Sequence, residues 1–190
     1  MYEQFQNPVV IKGLATLSAD DNLILESVNM KVGAYTLDAQ PYMPSKLGFK
    51  ATAGDTADTM GTIAVVGSLF GVVQSETVTP VAGSTVWTTK YYDAVTTLTG
   101  VDWVIDAVDG TEDTIIVGVS AESSIPVKGR NISFVNVSGN IWVSNLDTAV
   151  ADITSLLLTA GMYINWKVKG NLSVITDVNG GTCQYVIYQP

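Results

Sequence analysis

Five acidic side chains crowd one stretch of the chain: Asp102, Asp106, Asp109, Glu112 and Asp113. Paired carboxylates of this kind can cleave a glycosidic bond, one as acid and one as nucleophile or base. Clustered oxygens can also hold calcium. In an extended strand Asp102 and Asp106 would share one face, while Trp103, Ile105 and Ala107 share the other. Exposed acids around an Asp109-Gly110 hairpin turn produce the same pattern, and this reading is preferred. Asp106, Asp109, Gly110 and Glu112 lack the ligand spacing of an EF-hand loop. Asp20-Asp21-Asn22 suits a turn before it suits a metal. The chain has no histidine, which removes the usual general base, the commonest metal ligand and every Ser-His or Cys-His nucleophile. The single cysteine, Cys183, lies in a strand-like run beside Gly180-Gly181 and reads as a buried structural thiol. Gly67, Gly71 and Gly83 have neither the spacing nor the following helix of a phosphate cradle. The expectation is a protein that is not an enzyme, with no catalytic residue, no cofactor and no metal.

The elements that must position any site are set by an unusual composition. Of 190 residues, 47% are hydrophobic and only 14% charged, against roughly 25% charged in an ordinary soluble domain. An apolar surplus implies a large core, a membrane span or extensive subunit contacts. Ile63 to Val73 is the most apolar window, and it is too short and too broken by glycine to span a bilayer as a helix. The first residues, Met1 to Gln6, lack the basic region and apolar core of a secretory leader. Nine cations against 18 acids give a net charge of −9, which repels phosphate backbones. Lys128, Arg130, Lys167 and Lys169 read as solvated strand edges that discourage aggregation. No nucleic acid and no membrane is expected as a partner.

Period-two alternation marks strands with one buried face at 132–137, 162–168 and 184–188, with 172–176 between the last two. Shorter Val-, Ile- and Thr-rich runs at 62–66, 76–81, 85–89, 94–99, 103–107 and 114–119 extend the pattern. The segment 147–158 could carry one short helix, but 153–158 reads slightly better as a strand. Trp87, Trp103, Trp142 and Trp166 sit among aliphatic neighbours and read as core filling more than as sugar-stacking platforms. The small, polar, Pro-containing segment near Ser120 looks like a linker. The expected fold is all-β, with two consecutive small antiparallel β-sandwich domains, Ig-like or jelly-roll-like. Their expected bounds are an extended N-terminal arm over 1–10, a sandwich over 11–120, a linker over 121–129 and a second sandwich over 130–190.

Two patterns carry a resemblance. The first runs from Gly61-Thr62-Ile63-Ala64-Val65-Val66-Gly67 through Gly71, Ser75-Glu76-Thr77-Val78-Thr79, Val86-Trp87-Thr88-Thr89 and Thr114-Ile115-Ile116-Val117-Gly118. It resembles β-sandwich domains of tailed-bacteriophage virion proteins. The second, Ile132-Ser133-Phe134-Val135-Asn136-Val137 through Ile141-Trp142-Val143 and Leu158-Thr159-Ala160-Gly161, is similar to the carboxy-terminal sandwich of phage head-decoration, cement and fibre proteins. Collagen-like repeats, heptads and a long β-helical shaft are absent from the sequence, which argues against a long fibre. The resemblance implies a many-copy capsid decoration protein on the virion surface, assembled in the host cytoplasm. Its implied partners are the major capsid protein and itself, as a homotrimer. Tyr2 and Phe5 on the arm and the strand Ile141-Trp142-Val143 are the candidate contact residues. The competing expectation is a tail or adsorption module that reads a cell-surface glycan through Trp142 or Trp103.

Overall fold

A computed structural model describes residues 8–17, 19–53, 61–104, 112–125, 130–144, 155–168, 171–176 and 180–188. Every regular element among them is a strand, as the alternation requires. The chain forms two compact units, one of residues 19–120 and one of residues 1–18 with 121–190.

The unit over 19–120 contains β2 (Asp20–Asn29), β3 (Gly33–Ala34), β4 (Ser45–Thr52), β5 (Thr62–Leu69), β6 (Val72–Val78), β7 (Thr85–Trp87), β8 (Ala94–Val101) and the first part of β9 (Thr114–Ile125). One sheet has the order β2-β9-β4-β7 and the other β3-β8-β5-β6. Lettered B to I in chain order, these are the BIDG and CHEF sheets of a jelly roll, the double Greek key that closes eight strands around one core. Ile24, Leu47, Phe49, Ile115 and Val117 of the first sheet meet Ile63, Val65, Val95 and Leu98 of the second in a single buried cluster. The burial of β4 alternates strictly from Ser45 to Thr52 apart from Gly48, which puts Leu47, Phe49 and Ala51 inward.

The other unit repeats this topology. Its strands are β1 (Pro8–Leu17), the end of β9, β10 (Asn131–Ser138), β11 (Ile141–Ser144), β12 (Leu156–Leu158), β13 (Tyr163–Lys167), β14 (Leu172–Thr176) and β15 (Gly181–Tyr188). The sheet orders are β1-β15-β10-β13 and β12-β11-β14-β9. Taking β1 as strand B and the end of β9 as strand C, the same BIDG and CHEF sheets appear. Ile132, Phe134, Cys183, Tyr185 and Ile187 line the inside of one sheet, and Ile125, Leu172, Val174, Ile141, Val143 and Leu158 the inside of the other. Phe134 and Tyr185 stack nearly parallel, with ring centroids 6.5 Å apart.

The molecule is therefore one jelly roll inserted into the B-to-C connection of another. β9 ends the inserted unit through its pairing with β2 over Thr114 to Val119. It then serves the host unit by pairing with β14 over Glu122 to Ile125. Three expectations change. The two sandwiches are nested, not consecutive, because residues 8–17 pair with β15 at the far end of the chain. The arm expected over 1–10 is strand from Pro8 onward. The linker expected over 121–129 is strand through Ile125, whose small polar residues include the inward-facing, fully buried Ser123.

Candidate interaction surface

The acidic stretch is not assembled into a site by the described residues. Asp102 is exposed and sits at a positive φ of 59° just after β8. Glu112 is exposed, Asp113 is buried, and Asp106 and Asp109 lie outside the described residues. The run expected as a strand over 103–107 begins with Trp103, which is buried against the glycine face of Gly100. Among the described residues no three His, Cys, Asp or Glu side chains are grouped to hold a metal. Asp20-Asp21-Asn22, expected as a turn, instead opens β2, where Asp20 accepts a local hydrogen bond from the Asn22 amide at 3.2 Å.

Cys183 is buried opposite Asn136. Desolvation pushes its thiol up to about 12, so the reactive thiolate is suppressed. Asn136 is itself fully buried. Its side-chain amide donates to the carbonyls of Gly139 and Leu158 at 2.8 Å each, and its main-chain amide donates to Met162. This one side chain ties the β10–β11 turn to the end of β12.

The proposed contact residues separate. Tyr2 and Phe5 lie outside the described residues. Ile141 and Val143 point into the core with 0% and 1% exposure, so they cannot form a contact face. Period two sends only Trp142 outward, where it is half-buried. There it belongs to a cross-strand row on the outside of the CHEF sheet, Glu122–Ile175–Trp142–Leu157. Of the four tryptophans, Trp103 is buried, Trp142 and Trp166 are half-buried, and Trp87 is exposed. Core filling therefore holds for Trp103 and fails for Trp87.

A different surface emerges where β12 and β13, the edge strands of the two sheets in the host unit, are joined by the tight turn 159–162. Gly161 takes a positive φ of 86° there, and Met162 donates its amide to the Thr159 carbonyl. Around this corner Leu156, Leu157, Met162 and Tyr163 are all exposed, and so is Val137. Tyr163 is 67% open to water. In the described segments 130–144, 155–168, 171–176 and 180–188 the charged residues are Arg130 and Lys167, both at the end of the β10–β13 ladder away from this turn. The net charge lies elsewhere: residues 19–120 carry 13 acids and four cations, and the remainder five of each. All of the −9 is thus on the inserted unit, and the host unit is neutral. The reading of 153–158 as a strand does not say which of its leucines a second sheet covers, and Leu158 alone of 156–158 is buried. The signal was present in β12, an edge strand of three leucines with no Lys or Glu of the kind that usually guards against association.

No family model, no curated protein and no solved structure matches the chain.

Proposed function

We propose that the protein is a non-enzymatic structural component of a tailed-bacteriophage virion, a decoration or cement protein that binds the assembled head through its host jelly roll. The observation that carries this reading is the uncharged apolar band around the β12–β13 corner. Interface centres are depleted of charge, and burying such a surface strips few ions of their water. A jelly roll is also an architecture of capsid proteins, which supports the reading by analogy of fold. Cement action needs no chemistry. A protein that binds only the assembled shell stabilises it by mass action, by about 2.7 kcal/mol when free protein stands at a hundred times its Kd. Local threefold points of a shell favour a homotrimer, with the major capsid protein as the second partner. The inserted unit, with its concentrated negative charge, keeps the decorated particle soluble.

The test is co-sedimentation of the protein with purified heads and with unassembled capsid protein. Binding to heads alone, with greater heat resistance of the decorated heads, is the expected result. Tyr163→Ser with Leu157→Ser should abolish it while leaving the circular dichroism unchanged. A monodisperse monomer by light scattering that also fails to bind heads would overturn the reading.

A further inference from the structure

We infer that the outer face of β4 and β7 in the inserted unit is a binding platform for an acidic sugar, with Trp87 stacking on the pyranose ring and Lys50 pairing with its carboxylate. This inference rests on a different face and a different unit from the head-docking band, and either can stand without the other.

β7 is the edge strand of its sheet and is only three residues long. Trp87 pairs with Gly48 and Thr85 with Lys50 across the β4–β7 ladder. Because side chains alternate, Lys46, Gly48 and Lys50 share the outer face of β4 with Thr85 and Trp87. The benzene end of the indole occupies the space above Gly48. A methyl group there would lie 2.6 Å from Cζ3 and 2.8 Å from Cη2 of the ring. The glycine thus seats the ring against the sheet while 44% of Trp87 remains open to water. Covering a glycine with an aromatic neighbour is a known stabilising device, but that role alone does not call for so large an exposed aromatic area.

The surroundings supply polarity of the right sign. Lys50 and Thr85 are both exposed and form the next pair on the same face, two rungs from the indole. Lys46 lies on the other side of Gly48 and holds its ammonium 5.2 Å from the centroid of the Tyr91 ring. Two of the four cations in this acidic unit therefore flank one tryptophan. An indole offers a flat apolar face and a polar tip, which suits the C–H face of a pyranose. An ammonium within reach adds a charge-assisted hydrogen bond to a carboxylate. A long polyanion would meet the repulsion of the surrounding acids, but screening over about 8 Å at physiological salt leaves a single carboxylate governed by its nearest cation. The chemistry points to a uronic-acid-type or sialic-acid-type residue in place of a neutral sugar.

The experiment is an NMR titration of the full-length protein with methyl galacturonide, which carries one carboxylate, and with its methyl ester, following the indole N–H signals and assigning Trp87 by Trp87→Phe. The acid should move the Trp87 signal with a Kd on the order of 1 mM, and the neutral ester should bind about tenfold more weakly. Lys50→Gln should weaken binding of the acid by about tenfold, with a spectrum otherwise like the wild type. Gly48→Ala should weaken it by displacing a ring that is still present. A Trp87 signal that stays fixed, equal binding of acid and ester, or a Lys50→Gln variant with unchanged affinity would each overturn the inference.

Discussion

Cys183 shows how a residue with reactive chemistry is made inert by its place in a sheet. Burial raises its thiol from 9.0 to about 12, whereas an unfolded chain ionises near the unshifted value. Between those limits the unfolded state holds fewer protons, so stability is fully present below about pH 9 and falls as the pH rises toward 12. The expected slope for this group is about 1.4 kcal/mol per pH unit, and urea unfolding of wild type and Cys183→Ala at pH 8 and 10.5 measures it. The wild type should lose more over that interval. In native buffer the thiol should also resist alkylation until urea is added. Gly118 makes the complementary point, because a side chain there would collide with the main chain of Asp20 and Asp21. Main chain cannot swing aside as a side chain can, so Gly118→Ala should cost about 3 kcal/mol in denaturant unfolding.

Edge strands decide what this protein can meet, and the chain treats its edges differently. β6 is covered by the segment that follows β7. Glu76 accepts hydrogen bonds from the amides of Thr89 and Lys90, Lys90 reaches back to the Ser75 carbonyl, and Gln74 donates to the Tyr91 carbonyl. Glu76→Ala removes both carboxylate acceptors and should speed hydrogen exchange at the Thr89 and Lys90 amides while costing about 1 to 2 kcal/mol. β12 and β13 present leucines and Tyr163 to solvent instead. Much of this was legible in the sequence, since the alternation at 132–137 named β10 to within a residue at each end and that at 184–188 named the second part of β15, which begins at Gly181. β4 was overlooked although Leu47, Phe49 and Ala51 alternate correctly. Its outward positions are Lys46, Gly48 and Lys50, which weaken a strand signal that rests on β-branched residues. The reason Gly48 is there, the ring of Trp87, comes from a strand nearly forty positions later in the chain. Ile141 and Val143 were misplaced for the opposite reason: an apolar run on a short strand does not say which neighbours cover it until Ile175 and Leu157 are set beside Trp142.

At the scale of the whole molecule, two cores of the same topology are built from interleaved sequence. Phe49 and Phe134 are both fully buried, one in each unit. Each Phe→Ala change should cost about 3 to 5 kcal/mol. Because the two side chains share no core, the double variant should show the sum of the two losses within about 0.5 kcal/mol in the unfolding free energy. A coupling well beyond that would mean that the cores are not independent. The nesting could not be read from local patterns, because β1 finds its partner in β15 across nearly the whole length of the chain. Local propensity says that 8–17 can be extended, and only the pairing says to what.

The nested order has a hereditary consequence. Residues 19–120 are one uninterrupted block of codons, whereas the unit that holds the apolar corner is written in two pieces on either side of it. A single in-frame exchange between the codons for Ser18 and Ala121 can therefore replace the acidic unit outright. Strands β1 and β10 to β15, and with them the apolar corner, pass through that exchange unchanged.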